Sequence, residues 1–204
     1  KSAKKMVEDG VDVIDVGGES TKPGAEQITD ELELSRIEST IKAIKMNHPS
    51  CKVSVDTRKS SVMKRVIELG VDFINDVSAL SFDTSSMQVL AQDNVQICLM
   101  HGGLNPKTMQ QRTVYDDVVL DVYDYLDERI TSAVAGGIKK ENIIVDPGIG
   151  FGKTESQNIR LIQKASIFHS LGCPVLYGVS RKAFIGGISG VKKVSDRFPG
   201  SIAV

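Results

Sequence analysis

Glu8-Asp9-Gly10-Val11-Asp12-Val13-Ile14-Asp15 and Glu68-Leu69-Gly70-Val71-Asp72-Phe73-Ile74-Asn75 are two copies of one pattern. Each reads as a helix end, a glycine stop and a strand that finishes on a polar residue. One repeated βα unit accounts for both, and right-handed crossovers between such units build a parallel sheet. Outward from this pair, residues 11–16, 52–55, 71–74, 95–100, 142–145 and 174–179 are short, β-branched and nearly continuously apolar. Strands covered on both faces need that pattern. Between them the apolar period is helical: Leu34, Ile37, Ile41 and Ile44 in 30–46, and Val62, Met63, Val66 and Ile67 in 60–69. Residues 115–135 carry Val118, Val122, Leu126 and Ile130 on one side, and 154–171 carry Leu161, Ala165 and Phe168. Gly10, Gly70, Gly136-Gly137 and Gly172 stand where these helices stop, glycine tolerating left-handed backbone.

Polar residues gather at the strand ends: Asp15, Asp56, Asn75-Asp76, His101, Asp146 and Ser180-Arg181-Lys182. An open doubly wound sheet collects ligands at one crevice, whereas a TIM barrel brings all its strand ends to one face. Six contributing ends predict an α/β fold of the TIM (β/α)8 barrel class. The chain opens within a helix and closes as a helix begins at 200–204, so the barrel is expected to be incomplete here, its first strand and last βα unit missing. No linker or low-complexity segment interrupts 1–204, which reads as a single, partial barrel domain.

Composition narrows the classes. Charged residues are 25% of the chain, apolar ones 41%, and the net charge is −1, which leaves no basic stripe for nucleic acid. No apolar run nears the roughly 20 residues that span a bilayer, and the first nine residues lack a signal peptide's apolar stretch. Cys51, Cys98 and Cys173 are scattered and odd in number, as a reducing cytoplasm allows.

Five motifs carry the chemistry. Asp15-Val16-Gly17-Gly18-Glu19-Ser20-Thr21-Lys22-Pro23-Gly24 is a glycine-rich loop with a hydroxyl pair and a cation, although a plain connector would look similar. Ser54-Val55-Asp56-Thr57-Arg58-Lys59 ends a strand on a carboxylate that would also serve as a helix cap. Ile74-Asn75-Asp76-Val77 places an amide at a strand end, again compatible with turn chemistry. Asp146-Pro147-Gly148-Ile149-Gly150-Phe151-Gly152-Lys153-Thr154 invites a Walker A reading, but that motif needs glycine where Pro147 stands. Tyr177-Gly178-Val179-Ser180-Arg181-Lys182 closes the last run on two cations, a solvated pair being the plain alternative.

Taken in this order, the five motifs resemble dihydropteroate synthase, of the pterin-binding enzyme family, over residues 1–204. Met100-His101, Pro106-Lys107-Thr108-Met109-Gln110 and Arg197 with Gly200-Ser201 also match. The resemblance implies a transferase of folate biosynthesis and a target of sulfonamides. It would condense 6-hydroxymethyl-7,8-dihydropterin pyrophosphate with para-aminobenzoate, giving 7,8-dihydropteroate and pyrophosphate. It assigns Asp146 to the aminopyrimidinone edge of the pterin, as bidentate charge-assisted pairing suits, and Asn75 to a ring edge of mixed character. Asp56 would steady positive charge as the C–O bond to pyrophosphate breaks. Met100 and Phe151 would line the pterin, and Lys182 would reach its carbonyl side and the aminobenzoate channel. Catalytic roles thus fall to Asp56, Asp146 and Lys182. Ser20, Thr21, Lys22 and Pro23 would cover aminobenzoate and diphosphate, with Ala183 at the aminobenzoate carboxylate.

Two positions depart from the family pattern: lysine replaces arginine at 22 and alanine replaces serine at 183. Lysine keeps the charge without the planar fork. The resemblance also implies Mg²⁺ on the departing pyrophosphate, with no ligand for it in this chain, because the asparagine expected to hold it lies on the absent first strand. The arginine and histidine that serve the diphosphate lie on the absent last strand. The 204-residue chain is therefore expected to be inactive alone, and the full-length protein to be a cytoplasmic homodimer through its late helices. Three other readings stay open. A pterin-binding methyltetrahydrofolate methyltransferase shares the barrel and the Asp/Asn pocket but not the loop at 17–24 or the Ser-Arg-Lys end. A non-catalytic pterin-binding homologue accommodates Lys22 and Ala183. A Schiff-base aldolase would use Lys182 as nucleophile but leaves both carboxylates and the amide without a purpose.

Overall fold

The computed structural model describes residues 2–22, 24–102 and 113–204. Its sheet has five parallel strands: β1 (Val13–Gly17), β2 (Lys52–Asp56), β3 (Phe73–Asp76), β4 (Gln96–Met100) and β5 (Ile143–Asp146). Sheet order equals chain order, β1-β2-β3-β4-β5, and every neighbouring pair is parallel. The helices are α1 (Ser2–Glu8), α2 (Asp30–Asn47), α3 (Ser60–Glu68), α4 (Ser86–Ala91), α5 (Val118–Ala135), α6 (Glu155–Gln163), α7 (Ala183–Ser189) and α8 (Phe198–Ala203). Gly10, Gly70, Gly137 and Gly172 have φ between 71° and 97°, the left-handed backbone expected of helix stops.

Local chemistry sets the boundaries. Thr29 caps α2 by accepting from Leu32 N–H at 3.3 Å, Asp117 caps α5 through Val119 N–H at 2.9 Å, and Thr154 forms a capping box with Gln157 at α6. Asp117 as cap shortens the helix expected from residue 115. The long helix expected over 154–171 breaks into α6 and a tighter 3-10 turn at Ala165–Leu171.

The sheet has an apolar, helix-covered face and a more polar one. Val53, Val55, Ile74, Ile97, Leu99, Ile143 and Val145 are fully buried and join one core with Ile37, Ile41, Met63, Val122 and Leu126 from the helices. Burying such a side chain stabilises by about 1.5–3 kcal/mol. The alternate positions form rows across the opposite face. One row runs Asp15, Ser54, Phe73, Gln96; the next runs Gly17, Asp56, Asn75, Cys98, Ile144. Residues on this inner face are polar far more often than the continuous apolar pattern of the sequence suggests.

The sixth expected strand is reduced to one parallel bridge, Val145 to Val175. Val145 donates its N–H to Pro174 O at 2.9 Å and accepts from Leu176 N–H at 2.8 Å. Beyond that bridge the segment carries Gly178 and turns into Arg181, whose φ of 52° lies in the left-handed region, so the ladder ends after one rung. Among the described residues no helix is long and apolar enough to cross a membrane.

Candidate active site

The strand register sets out the site. Asp56 and Asn75 are direct partners on β2 and β3, and Met100 and Asp146 are direct partners on β4 and β5. Cys98 lies between the two pairs: Asn75 is its neighbour in the row, and its buried thiol is pushed well up by desolvation and then by Asp146, Asp15, Asp76 and Asp56. Four of the sequence-predicted residues thus surround one inner-face position. Their strands are about 4.8 Å apart.

Asp146 is buried and commits one oxygen: Oδ1 accepts Gly148 N–H at 2.7 Å. Burial raises its pKa, and the Gly148 bond and the charges of Lys182 and Lys153 pull the other way. Asn75 Oδ1 is buried and has no hydrogen-bond partner among the described residues. A buried acceptor left unpaired costs on the order of 1–3 kcal/mol, so this atom awaits a donor. Asp56 is pushed up to about 8 by burial first, then by Asp15, Asp76 and Glu33. The sequence reading gives Asp56 a fixed negative charge, whereas these surroundings favour its protonated form until donors or a cation face it. Beside it Ser54 donates to Asp15 across the strand pair.

Asp76, next in sequence to Asn75, points the other way and is structural. It is fully buried and accepts from Ser78 N–H at 2.7 Å, Ser78 Oγ at 2.6 Å and Leu80 N–H at 2.8 Å. These bonds hold Ala79 and Leu80 at φ 50° and 61°.

Lys182 approaches from the segment after the bridge. Its ammonium donates to Ile149 O and sits 4.6 Å from the centre of the Phe151 ring. Burial lowers its pKa and Asp146 raises it. Gly178 separates the two: a Cβ there would lie 3.4 Å from Lys182 Nζ and 3.9 Å from Asp146 Oδ2. Arg181 is exposed and lies against Phe198, 5.9 Å from the ring centre. Ser201 Oγ and the Arg197 guanidinium hold its backbone, accepting Arg181 N–H at 2.7 Å and donating to Arg181 O at 3.3 Å.

A cavity of about 740 Å³ opens beside Lys182, lined by Thr21, Lys22, Phe151, Lys182 and Ala183 among others. It gathers part of the expected aminobenzoate and diphosphate set. Ser20 is exposed and outside its lining, and its Oγ accepts Lys22 N–H at 3.4 Å. Asp56, Asn75, Met100 and Asp146 lie on the sheet face rather than in the cavity lining. Pro23 and Pro106-Lys107-Thr108-Met109-Gln110 lie outside the described residues.

Two groups escape the sequence reading. The first is an ion cluster at the root of the loop after β1. Glu19 pairs with Arg58 at 2.5 Å and Lys59 at 3.1 Å, and Lys59 also meets Glu33 of α2 at 2.7 Å. Glu19 further accepts Ile28 N–H at 2.9 Å, and Lys59 donates to Ile28 O at 2.6 Å. The loop is thereby tied at both ends, leaving Ser20, Thr21 and Lys22 to project. Gly18 is required where that loop meets α2, since a Cβ would stand 2.8 Å from Glu33 O. The clue was Arg58-Lys59 directly behind a strand-end carboxylate. The second is Lys153, buried at the end of the glycine-rich loop after β5.

Among the described residues no three His, Cys, Asp or Glu side chains gather to hold a metal. A family profile described as pterin binding enzyme matches residues 1–204. The dihydropteroate synthase of Haemophilus influenzae is 40% identical over 200 residues, 98% of this chain and 72% of that protein. The Xanthomonas albilineans dihydropteroate synthase bound to 4-aminobenzoic acid superposes with a TM-score of 0.91 at 38% identity, covering 98% of this chain and 70% of that one. The same organism's enzyme in complex with 7,8-dihydropteroate superposes at 0.87 with 34% identity, over 98% and 70%. A parallel α/β sheet, polar strand ends around one inner-face position and these relatives agree: the chain belongs to the pterin-binding enzyme family, among its dihydropteroate synthases.

Proposed function

We propose that the chain forms the pterin and aminobenzoate halves of a dihydropteroate synthase site, built on five consecutive staves and the root of a sixth in an incomplete (β/α)8 barrel of one domain. The carrying observation is the Asn75 Oδ1, without a hydrogen-bond partner among the described residues, beside Asp56, one strand from Cys98 and on the same sheet face as the buried Asp146. A flat heterocycle with N–H donors along one edge satisfies that orphan acceptor and the free oxygen of Asp146 together. Met100 and Phe151 supply its apolar contacts. Lys182, poised over Phe151, reaches both the ring carbonyl and the cavity where Thr21, Lys22 and the backbone at Ala183 would receive para-aminobenzoate.

The reaction then follows from placement. The C–O bond to pyrophosphate breaks with its electron pair leaving on the pyrophosphate oxygen, the pterin methylene gains positive charge, and the aminobenzoate nitrogen forms the new C–N bond and passes its proton to solvent water. As that charge develops, Asp56 releases its proton to solvent water and faces the methylene as carboxylate, a stabilisation largest in the transition state. Lys22 offers the departing pyrophosphate a point charge. Mg²⁺ on the pyrophosphate is the family expectation, but the described residues form no site for it and no step here runs through it. A homodimer is supported by Ile188, Phe198 and Ile202, exposed apolar side chains on α7 and α8; a cytoplasmic location is supported by three buried free cysteines.

Calorimetric titration with 6-hydroxymethyl-7,8-dihydropterin pyrophosphate, then with para-aminobenzoate in the presence of pyrophosphate, tests the reading. Binding of both is expected, with product dihydropteroate where turnover occurs. Methyl transfer from methyltetrahydrofolate to a corrinoid, or no affinity for either compound, would overturn it.

A further inference from the structure

Lys153 is 5% exposed, and among the described residues none of its hydrogen-bond partners is a carboxylate. Its ammonium lies 3.1 Å from His101 O, 3.0 Å from Gly148 O, 2.9 Å from Phe151 O and 2.9 Å from His101 Nδ1. Burial and the Lys153 charge hold His101 down to about 3, so the imidazole is neutral and accepts through Nδ1. Its ring is fixed edge-on against Tyr125 at 4.9 Å. The two loops meet so closely that a Cβ at Gly148 would stand 1.9 Å from His101 O. One ammonium therefore binds the loop after β4 to the loop after β5.

Both loops carry site residues. Gly148, whose carbonyl Lys153 holds, donates its N–H to Asp146 Oδ1. Phe151, whose carbonyl it also holds, presents its ring to Lys182. We propose that Lys153 is a positioning residue of the pterin pocket: its ammonium sets the Asp146 carboxylate and the Phe151 ring at the spacing the heterocycle needs. The inference rests on the pterin reading above. The titratable groups around Lys153 are Asp146 on β5, His101 after β4, Lys182 before α7, Tyr115, which donates to Gly152 O at 2.9 Å, and Glu155 on α6 in the shared cavity lining. Burial lowers Lys153 to about 7, with Asp146 opposing and Lys182 adding. The cage thus loses a donated proton as pH rises through neutrality.

Fluorescence titration with 6-hydroxymethylpterin on the wild-type chain and on Lys153→Met is the first arm. Methionine fills the space without donating, and a loss of at least tenfold in affinity is expected in the folded variant. The second arm needs no variant: ¹³Cε-lysine NMR follows Lys153 in the wild-type chain, where a midpoint near 7 is expected. Reciprocity requires that a ligand favoured by the protonated cage raise that midpoint, by half a unit or more at saturation. A folded Lys153→Met that binds within twofold of wild type overturns the inference. An unmoved midpoint overturns it even where affinity falls, since the lysine would then be only scaffold. Wild-type protein that binds no pterin would overturn the pterin reading and this inference together.

Discussion

Replacing Asp146 by asparagine tests the site at its most constrained atom. Oδ1 must keep accepting Gly148 N–H at 2.7 Å, so the asparagine carbonyl is driven to that position and its NH₂ takes the place of Oδ2. On the proposed reading Oδ2 is the oxygen that meets the pterin, on the side where Gly178 approaches. The substitution therefore sets donor against donor. A hydrogen bond to a charged group contributes about 1.5–3 kcal/mol, and the second pterin N–H loses its charge assistance as well. The sum is roughly 3 kcal/mol, or about a hundredfold in Kd at 1.4 kcal/mol per decade. Stability should move the other way. The folded pKa of Asp146 is raised, so the native state binds its proton more tightly than the unfolded chain does, and ionisation above the unfolded pKa weighs against folding. Urea denaturation at pH 7.5 is expected to find Asp146→Asn at least as stable as wild type. Calorimetry with the pterin pyrophosphate reads the affinity. A Kd within threefold of wild type would refute the assignment of Asp146 to the ring edge.

Four further outcomes are expected. Asp56, held near 8 against about 3.9 when unfolded, makes stability fall as pH climbs from about 4 to about 8; Asp56→Asn should flatten that slope in denaturation at pH 5, 7 and 8.5, and an unchanged slope would contradict the burial argument. Lys59→Met leaves Glu19 and the almost fully buried Glu33 short of a partner, and a loss of about 3–5 kcal/mol is expected by chemical denaturation; a loss below 1 kcal/mol would mean the cluster is not structural. Gly148→Ala must push His101 O aside from a φ of 69°, so a drop of more than about 2 kcal/mol is expected along with weakened pterin binding; wild-type stability would show that the two loops part easily. Lys22→Arg gives the loop a planar fork, and inorganic pyrophosphate should bind severalfold more tightly; equal affinity would place residue 22 away from the diphosphate.

Asp56, Asn75 and Asp146 are legible in the sequence because each ends or nearly ends an apolar run, where a polar residue is conspicuous. The repeated Gly-Val-Asp signal marks two βα junctions for the same reason. Lys59 and Lys153 are not legible in this way. The carboxylate of Glu33 that Lys59 meets lies 26 positions away and the imidazole that Lys153 meets lies 52 away, and a lysine whose side-chain partners are that distant reads as an ordinary solvated charge. Helix α4 escapes notice because six residues are too few to display a period. The run at 174–179 has a strand's composition, yet ladder length depends on what lies alongside it, and here a single rung forms. Protonation is equally invisible from spacing. The raised pKa of Asp56 comes first from burial and then from Asp15, Asp76 and Glu33, and only folding supplies either.

Asp76 has a consequence for which length changes the gene can tolerate. Its three bonds to Ser78 and Leu80 lock the phase of β3: adding or deleting one residue within the strand would swap the faces of Asn75 and Asp76, and doing so between 77 and 80 would break those bonds. The glycine turn at 70, with open space around it, carries no such lock. Length variants of this protein should therefore cluster before that strand and be absent from the few codons after it.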